Sequence, residues 1–130
     1  MNNSYVTDTV ALILRLEKRK LSPKIKAIFM KAENGEIKII IPTMVLAEIG
    51  YLSEKKKIET NLNNVKEYCK RHRSIIIEPI TEEIIEKAFQ IDDIPELHDR
   101  IIAGTSLNKG IKLITNDPVI SESKFIKVIW

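Results

Sequence analysis

One stretch of the chain, Leu97 to Asp117, constrains its fold more than any other, because it combines a helix, a stop and a strand. Small and apolar residues recur there at helical spacing from Glu96 onwards: Ile101, Ile102, Ala103 and Leu107. Gly110 stands just past the expected helix end, where glycine is the preferred residue, and a short buried strand follows over 111–114. Two acids, Asp99 in the first helical turn and Asp117 after the strand, are thereby brought to one region of the fold.

The rest of the chain alternates β-favouring segments with helical ones. Strands are predicted at 4–7, 37–41, 75–77 and 125–129, in addition to 111–114. Helices are predicted to begin at Asp8–Thr9, Ser22–Pro23, Pro42–Thr43, about Glu59 and Thr81–Glu82, with a helical turn at 118–121. The helix after Asp8 is expected to bury Val10, Ile13 and Leu14. Alternating strands and helices predict an α/β fold with a mostly parallel sheet, and such sheets bind ligands outside the carboxyl ends of their strands.

Length and composition limit the classes of protein to consider. A chain of 130 residues with 44% hydrophobic content predicts a single domain over residues 1–130. Its 21 basic and 18 acidic residues give a net charge of +3, which permits a polyanionic partner without requiring one. The lone Cys69 excludes an internal disulfide and suits a reducing cytoplasm. No apolar run approaches the roughly 18 residues of a membrane span, and there is no signal-peptide pattern, so we expect a soluble cytoplasmic protein.

Three aspartates stand at element boundaries, and each also has a purely structural interpretation. Asp8 lies where the first strand meets a helix and can be a plain N-cap. Asp117 precedes Pro118 and can cap the next helical turn. Asp99, in the first turn of its helix, can simply complement the helix dipole.

Glu48 is harder to explain by structure alone. Its neighbours at helical spacing are Met44, Val45, Tyr51 and Leu52, so we expect it inside an apolar face. An ionised carboxylate there is costly unless a cation meets it, and Lys55, the nearest basic residue ahead, is two turns away. An arginine partner from elsewhere in the chain remains open.

Taken together, the four acids indicate a metal site. Asp8 and Asp117 follow strands whose carboxyl ends share one edge of a parallel sheet, and Asp99 and Glu48 can reach that edge from helices. Carboxylates that close would repel one another, and a hard divalent cation such as Mg²⁺ or Mn²⁺ relieves the repulsion. His72 and His98 are too few for a zinc site. The pattern favours metal-assisted hydrolysis of a phosphodiester, with a metal-activated water as the nucleophile.

The same residues resemble a known family. Asp8-Thr9 after a short strand, Glu48 within TMVLAEI, Asp99 within LHDRIIAGTS and Asp117 within LITND are similar to the four acidic motifs of PIN domains, in the order and spacing of the small VapC-type toxins. The resemblance covers nearly the whole chain. It implies a three-layer sandwich with a parallel sheet between helices, Mg²⁺- or Mn²⁺-dependent endoribonuclease activity, a homodimer and an inhibitory antitoxin.

The resemblance also implies roles for particular residues. It makes Asp8, Glu48, Asp99 and Asp117 the catalytic and metal-binding set, with Thr9 and Thr115 supporting them. One departure is Gly104-Thr105-Ser106, where Ala-Thr-Ala is commoner in the family. The acids Asp92, Asp93 and Glu96 are either an outer rim of the site or, as we prefer, a solvated loop.

Other functions stay open at this point. A receiver domain would need an acceptor aspartate after the third strand, where the chain has Glu78-Pro79. A haloacid-dehalogenase-type phosphatase would need a second aspartate at position 10, which is Val10. A PIN-like scaffold that binds RNA or protein without cutting is the serious non-enzymatic alternative, and a housekeeping RNA-processing nuclease without a toxin role is the enzymatic one.

Several basic segments are candidates for contact with RNA. Three basic segments can contact phosphates or simply be solvated helix faces: Lys18-Arg19-Lys20, Lys55-Lys56-Lys57 and Lys70-Arg71-His72-Arg73. Aromatic residues make up only 5% of the chain, so no stacking platform for bases can be argued. His98, beside Asp99, can touch substrate or stabilise the helix start.

Overall fold

A computed structural model describes residues 3–130 of the chain. The strands are β1 Ser4–Thr7, β2 Lys38–Pro42, β3 Ile75–Glu78, β4 Lys112–Ile114 and β5 Val128–Ile129. The helices are α1 Thr9–Leu16, α2 Pro23–Glu33, α3 Thr43–Glu54, α4 Leu62–Arg71, α5 Glu82–Ala88, α6 Leu97–Lys109 and α7 Pro118–Ser121. The strands form one sheet in the order β3-β2-β1-β4-β5, and every neighbouring pair is parallel. The predicted α/β architecture, a parallel sheet between helices, is confirmed.

The topology creates a crevice beside the central strand. From β1 the chain moves outward to β2 and β3, and then returns to the other side of β1 to form β4. Parallel crossovers are right-handed, so reversing the direction along the sheet places the connecting helices on opposite faces. The strand order reverses between β1 and β4, and the carboxyl ends of strands at such a reversal point are where open α/β sheets bind ligands.

Most helix boundaries follow from side-chain caps that the sequence already suggested. The Ser22 hydroxyl accepts the Ile25 N–H at 3.2 Å, ahead of Pro23 at the first helical position. Thr81 does the same for α5, accepting the Ile84 N–H at 3.2 Å. Gly110 ends α6 in the left-handed conformation, with φ +66°, which glycine adopts without steric cost.

The core differs from expectation at two places. α1 buries Ala11, Leu12 and Ile13, whereas Val10 is 49% exposed and Leu14 only half-buried. The expected burial of Val10 is wrong, because the short helix turns that side chain towards the open crevice next to Asp8. The last strand is also shorter than the predicted 125–129, since only Val128 and Ile129 pair with β4.

α2 buries the predicted set of Ile25, Ile28, Phe29 and Ala32. Over residues 3–130, no helix has both the length and the apolar character needed to cross a membrane.

Candidate active site

Asp8 and Asp117 lie side by side at the carboxyl ends of neighbouring strands. The Asp8 N–H donates to the Ile114 carbonyl at 3.1 Å, which continues the β1–β4 ladder by one step. Asp8 also caps α1, because its Oδ1 accepts the Ala11 N–H at 2.8 Å. Asp117 caps α7 in the same way, accepting the Ile120 N–H at 3.0 Å. Both residues are therefore the N-caps that the structural interpretation expected, and both also face the crevice.

Asp99 enters the crevice from the first turn of α6. Its backbone N–H donates to Glu96 Oε1 at 2.7 Å, so Glu96 is the N-cap of the helix. Within residues 3–130, no hydrogen-bond donor contacts the Asp99 carboxylate. This carboxylate is half-buried and is left free to bind a ligand.

Glu48 reaches the same crevice from the middle of α3. The Thr9 hydroxyl donates to Glu48 Oε1, and His98 Nδ1 lies 3.6 Å from Oε2. No lysine or arginine of residues 3–130 lies within 4 Å of it. As expected, Glu48 shares its face of α3 with the apolar side chains of Met44, Tyr51 and Leu52. That face is only partly buried, since the Glu48 side chain is 25% exposed and Tyr51 is 60% exposed. The fully buried residues of α3 are Val45, which is one of the expected neighbours, and Ile49.

The four acids line one cleft of about 380 Å³. The other residues around it are Thr9, Val10, Leu52, Ile102, Asn116, Pro118 and Ile120. As they stand, no three carboxylate, imidazole or thiol groups of residues 3–130 converge closely enough to hold a metal ion by themselves. The acids therefore surround an open cleft, with room for water between them, and do not form a closed cage.

Burial, together with repulsion between neighbouring carboxylates, raises the pKa values of two of these acids. Burial, assisted by the negative charges of Glu48 and Asp117, raises the pKa of Asp8 to about 6, although hydrogen bonds from Thr115 and Ala11 oppose the rise. Burial is also the main reason that the pKa of Asp99 rises to about 6. Four nearby negative charges raise it further, those of Glu96, Asp117, Glu48 and Asp8. Carboxyl groups with raised pKa values clustered in a cleft are a physical signature of a functional site.

Two threonines support the acids. Thr9 holds Glu48 in place through its hydroxyl group, as described above. The Thr115 hydroxyl accepts the Asp117 N–H at 3.1 Å and also interacts with Asp8. Each threonine therefore joins two of the elements that carry the acids, which gives the predicted supporting residues a definite geometry.

Some residues at the site were missed or interpreted differently from the sequence. Asn116 lines the cleft, and its place between Thr115 and Asp117 was the available signal. Glu96 is solvent-exposed, with a side chain 54% exposed, but it also caps α6 and its charge raises the pKa of Asp99. Asp93 accepts hydrogen bonds from Ser123 Oγ and the Lys124 N–H, both at 2.8 Å, so it tethers the C-terminal segment.

Comparison with protein families decides the assignment. The family model described as PIN domain matches residues 5–126. This chain belongs to the PIN domain family. A search of curated protein sequences gives no match.

Solved structures with the same fold match this PIN domain over almost its entire length. It is similar to a chain of VapBC2 from Rickettsia felis, bound to a DNA fragment from their promoter, with a TM-score of 0.74, 20% identity and 98% of each chain covered. A chain of DNA-bound VapBC from Salmonella typhimurium has a TM-score of 0.69 and 16% identity, with 99% of this chain and 98% of that one covered. VapC20 from Mycobacterium tuberculosis, a toxin that cleaves the sarcin-ricin loop, has a TM-score of 0.61 and 15% identity, covering 95% and 98%. At these identities the likeness establishes the fold.

The cleft of this PIN domain offers carboxylate oxygens of the kind that a hard divalent cation prefers. Within residues 3–130, no hydrogen bond from the protein occupies the carboxylate of Asp99. Mg²⁺ commonly binds through one or two carboxylates and keeps several waters. An open cleft without three converging ligands is therefore compatible with that ion.

Proposed function

We propose that this PIN domain is a Mg²⁺- or Mn²⁺-dependent endoribonuclease that hydrolyses RNA phosphodiester bonds. The observation that carries the proposal is the set of four carboxylates around one cleft at the reversal point of the sheet, two of them with pKa values raised to about 6. A site with this excess of negative charge repels an RNA phosphate unless a cation is bound. The proposal therefore assigns the acids to holding a cation.

Each acid has a proposed role that follows from its contacts. Asp8, Asp99 and Asp117 present carboxylate oxygens that would hold the cation, which would supply positive charge to the phosphate and the leaving oxygen and would lower the pKa of a bound water. Glu48 faces the same cleft, held by Thr9, and orients a water molecule or helps to bind the cation. His98, on the rim 3.6 Å from Glu48, is 52% exposed and is placed to meet the substrate.

We further propose that the protein is a toxin restrained by an antitoxin, and that it acts as a homodimer in the cytoplasm. One of the similar structures is a toxin-antitoxin complex from Klebsiella pneumoniae, and others are of VapBC, which supports a protein partner. Exposed apolar side chains on elements around the acid cleft give such a partner surface to bury: Val10, Tyr51, Leu97 and Val119. Co-purification with the product of a small neighbouring gene, and light scattering on the isolated protein, test the partner and the dimer.

An RNA-cleavage assay tests the activity. Wild type, Asp8→Asn and Asp99→Asn are purified in parallel and incubated with RNA and Mg²⁺ or Mn²⁺, with and without chelator. Asp92→Asn is the matched control, since Asp92 is an exposed aspartate that does not line the cleft. We expect the two cleft variants to lose cleavage by roughly 100-fold or more, the scale of losing a group that stabilises transition-state charge. Equal activity in all four proteins would contradict the assignment.

A further inference from the structure

A second cleft, of opposite charge, lies at the other end of α1. The fold brings together two of the basic segments that are separate in the sequence, one after α1 and one at the end of α4. The cleft has a volume of about 590 Å³ and is lined by six basic side chains among the described residues: Arg15, Lys18, Arg19, Lys20, Lys26 and Arg71. α1 starts at the acid cleft and has eight residues, so the two clefts are separated by about 12 Å along its axis. We call this second cleft the basic cleft.

A network of polar side chains forms the floor of the basic cleft. Arg15 donates from Nε and Nη2 to the two carboxylate oxygens of Glu33, at 2.8 and 2.7 Å. The Tyr68 hydroxyl donates to Glu33 Oε2 at 2.6 Å, which ties together α1, α2 and α4. Glu33 is the one carboxylate among the residues that line the cleft within the described part of the chain, and these bonds occupy it. The remaining basic groups are thus left without a neutralising partner in the floor.

Backbone hydrogen bonds hold the first basic segment at the edge of the cleft. Lys18 takes a left-handed conformation with φ 55°, and its N–H donates to the Arg15 carbonyl at 3.2 Å. The Arg19 N–H donates to the Leu14 carbonyl at 2.8 Å, so both bonds close the turn that ends α1. Glu17 lies 3.6 Å from the Arg19 guanidinium and offsets part of its charge.

Four cations of the cleft lack even that compensation. Within residues 3–130, no carboxylate lies within 4 Å of the basic groups of Lys18, Lys20, Lys26 or Arg71. Like charges held around one concave surface concentrate a positive potential there and attract anions. Such an arrangement is unfavourable for the isolated protein and becomes favourable when a polyanion binds.

We propose that the basic cleft binds the phosphate backbone of RNA flanking the cleaved bond, while the acid cleft holds the phosphate that is cut. The inference rests on the proposed ribonuclease function. A backbone phosphate suits the site because the lining is dominated by ammonium and guanidinium groups, which recognise phosphate without reading the base. The apolar lining is small, limited to Leu16, Leu21 and the Tyr68 ring, and offers little to anchor an acidic peptide.

A binding measurement without cleavage tests the proposal. The triple variant Lys20→Gln, Lys26→Gln, Arg71→Gln is made in an Asp99→Asn background and titrated into a fluorescein-labelled single-stranded RNA in chelator. The matched control removes the same charge elsewhere, by Lys55→Gln, Lys56→Gln, Lys57→Gln, residues that do not line the basic cleft. We expect the cleft variant to bind roughly 10- to 100-fold more weakly at about 0.1 M salt, and the salt dependence of log Kd to fall by about 2, for three lost contacts to a single strand. The control should lose far less, and thermal melting should show both variants folded.

Two outcomes would overturn the proposal. Equal losses from the two triple variants would mean that affinity follows net charge and not the cleft. Unchanged RNA binding by the cleft variant, together with cleft-dependent binding of labelled poly-L-glutamate, would assign the surface to an acidic protein segment. Binding is measured without catalysis, so the two proposals can fail separately. If the cleft variant binds RNA more weakly than the control but the wild-type protein never cleaves RNA, the proposed activity alone is refuted. If the wild-type protein cleaves RNA but the cleft variant binds RNA as tightly as before, only the role of the basic cleft is refuted.

Discussion

Replacing Asp8 by asparagine should stabilise the protein in the absence of metal. Asp8 is 8% exposed and its pKa is raised from the ordinary 3.8 to about 6, chiefly by burial. That rise corresponds to about 3 kcal/mol of unfavourable ionisation in the folded state at neutral pH. Asparagine removes the charge and keeps an N-cap for the Ala11 N–H, since it caps helices as well as aspartate does.

The sign of the pH dependence follows from the direction of the rise. A carboxyl group whose pKa is higher in the folded than in the unfolded state binds more protons when folded. Its contribution to stability is therefore complete below pH 3.8 and is lost as the pH rises through about 6. The advantage of Asp8→Asn over wild type should thus be largest above pH 7 and should shrink below about 1 kcal/mol near pH 4.

Thermal melting in chelator at several pH values measures this effect. For a chain of this length a gain of 1–3 kcal/mol corresponds to a rise in Tm of about 4–12 °C. Asp8→Ala serves as the control, because it also removes the charge but loses the cap, and should be less stable than Asp8→Asn by about 1 kcal/mol. A lower Tm for Asp8→Asn than for wild type at pH 7.5, or a gain that does not change with pH, would refute the electrostatic reasoning.

Three further effects are expected. Millimolar Mg²⁺ or Mn²⁺ should raise the Tm of wild type and raise that of Asp99→Asn much less, which differential scanning fluorimetry can follow. Gly104→Ala should destabilise the fold by about 1–3 kcal/mol in urea unfolding, because its Cβ would lie 2.8 Å from Ala88 Cβ and 2.9 Å from Ala88 Cα, and Ala88→Gly should recover part of the loss. Arg15→Met should cost about 1–2 kcal/mol at pH 7 by breaking a charged hydrogen-bonded pair. Burial tends to raise the pKa of Glu33, but its bonds to Arg15 and Tyr68 outweigh this and hold that pKa below 4.5, so the cost should fade as the pH drops below about 4.

The elements were predictable where the chain signals them locally. Strands of consecutive isoleucines such as 39–41 and 75–77, separated by capped helices, require no tertiary information. Gly110 and Asp117 were predictable for the same reason, since a left-handed helix end and an N-cap depend on a few neighbouring residues. The position of the acids at one edge then followed from the parallel order of the strands.

What failed to be predictable depends on how helices pack against one another. Helical spacing correctly gave the apolar residues that share a face with Glu48, but it does not show how deeply that face is buried, and the Glu48 side chain is 25% exposed. Val10 was misplaced for the same reason. Gly104 stood out in the sequence only as a departure from the family pattern, and the structure supplies the cause: α5 lies so close to α6 there that a Cβ would collide with Ala88.

The separation of charge along α1 connects the two proposed functions. A helix carries partial positive charge at its N-terminus and partial negative charge at its C-terminus. α1 directs its N-terminus to the acid cleft and its C-terminus to the basic cleft, so its dipole favours both clusters where they lie. Within each cluster, however, like charges still repel, and only a ligand of opposite charge relieves them. A metal ion at one end and RNA phosphates at the other would relieve both, and a substrate bound at both clefts would be held across α1 with its cleaved bond at the acids.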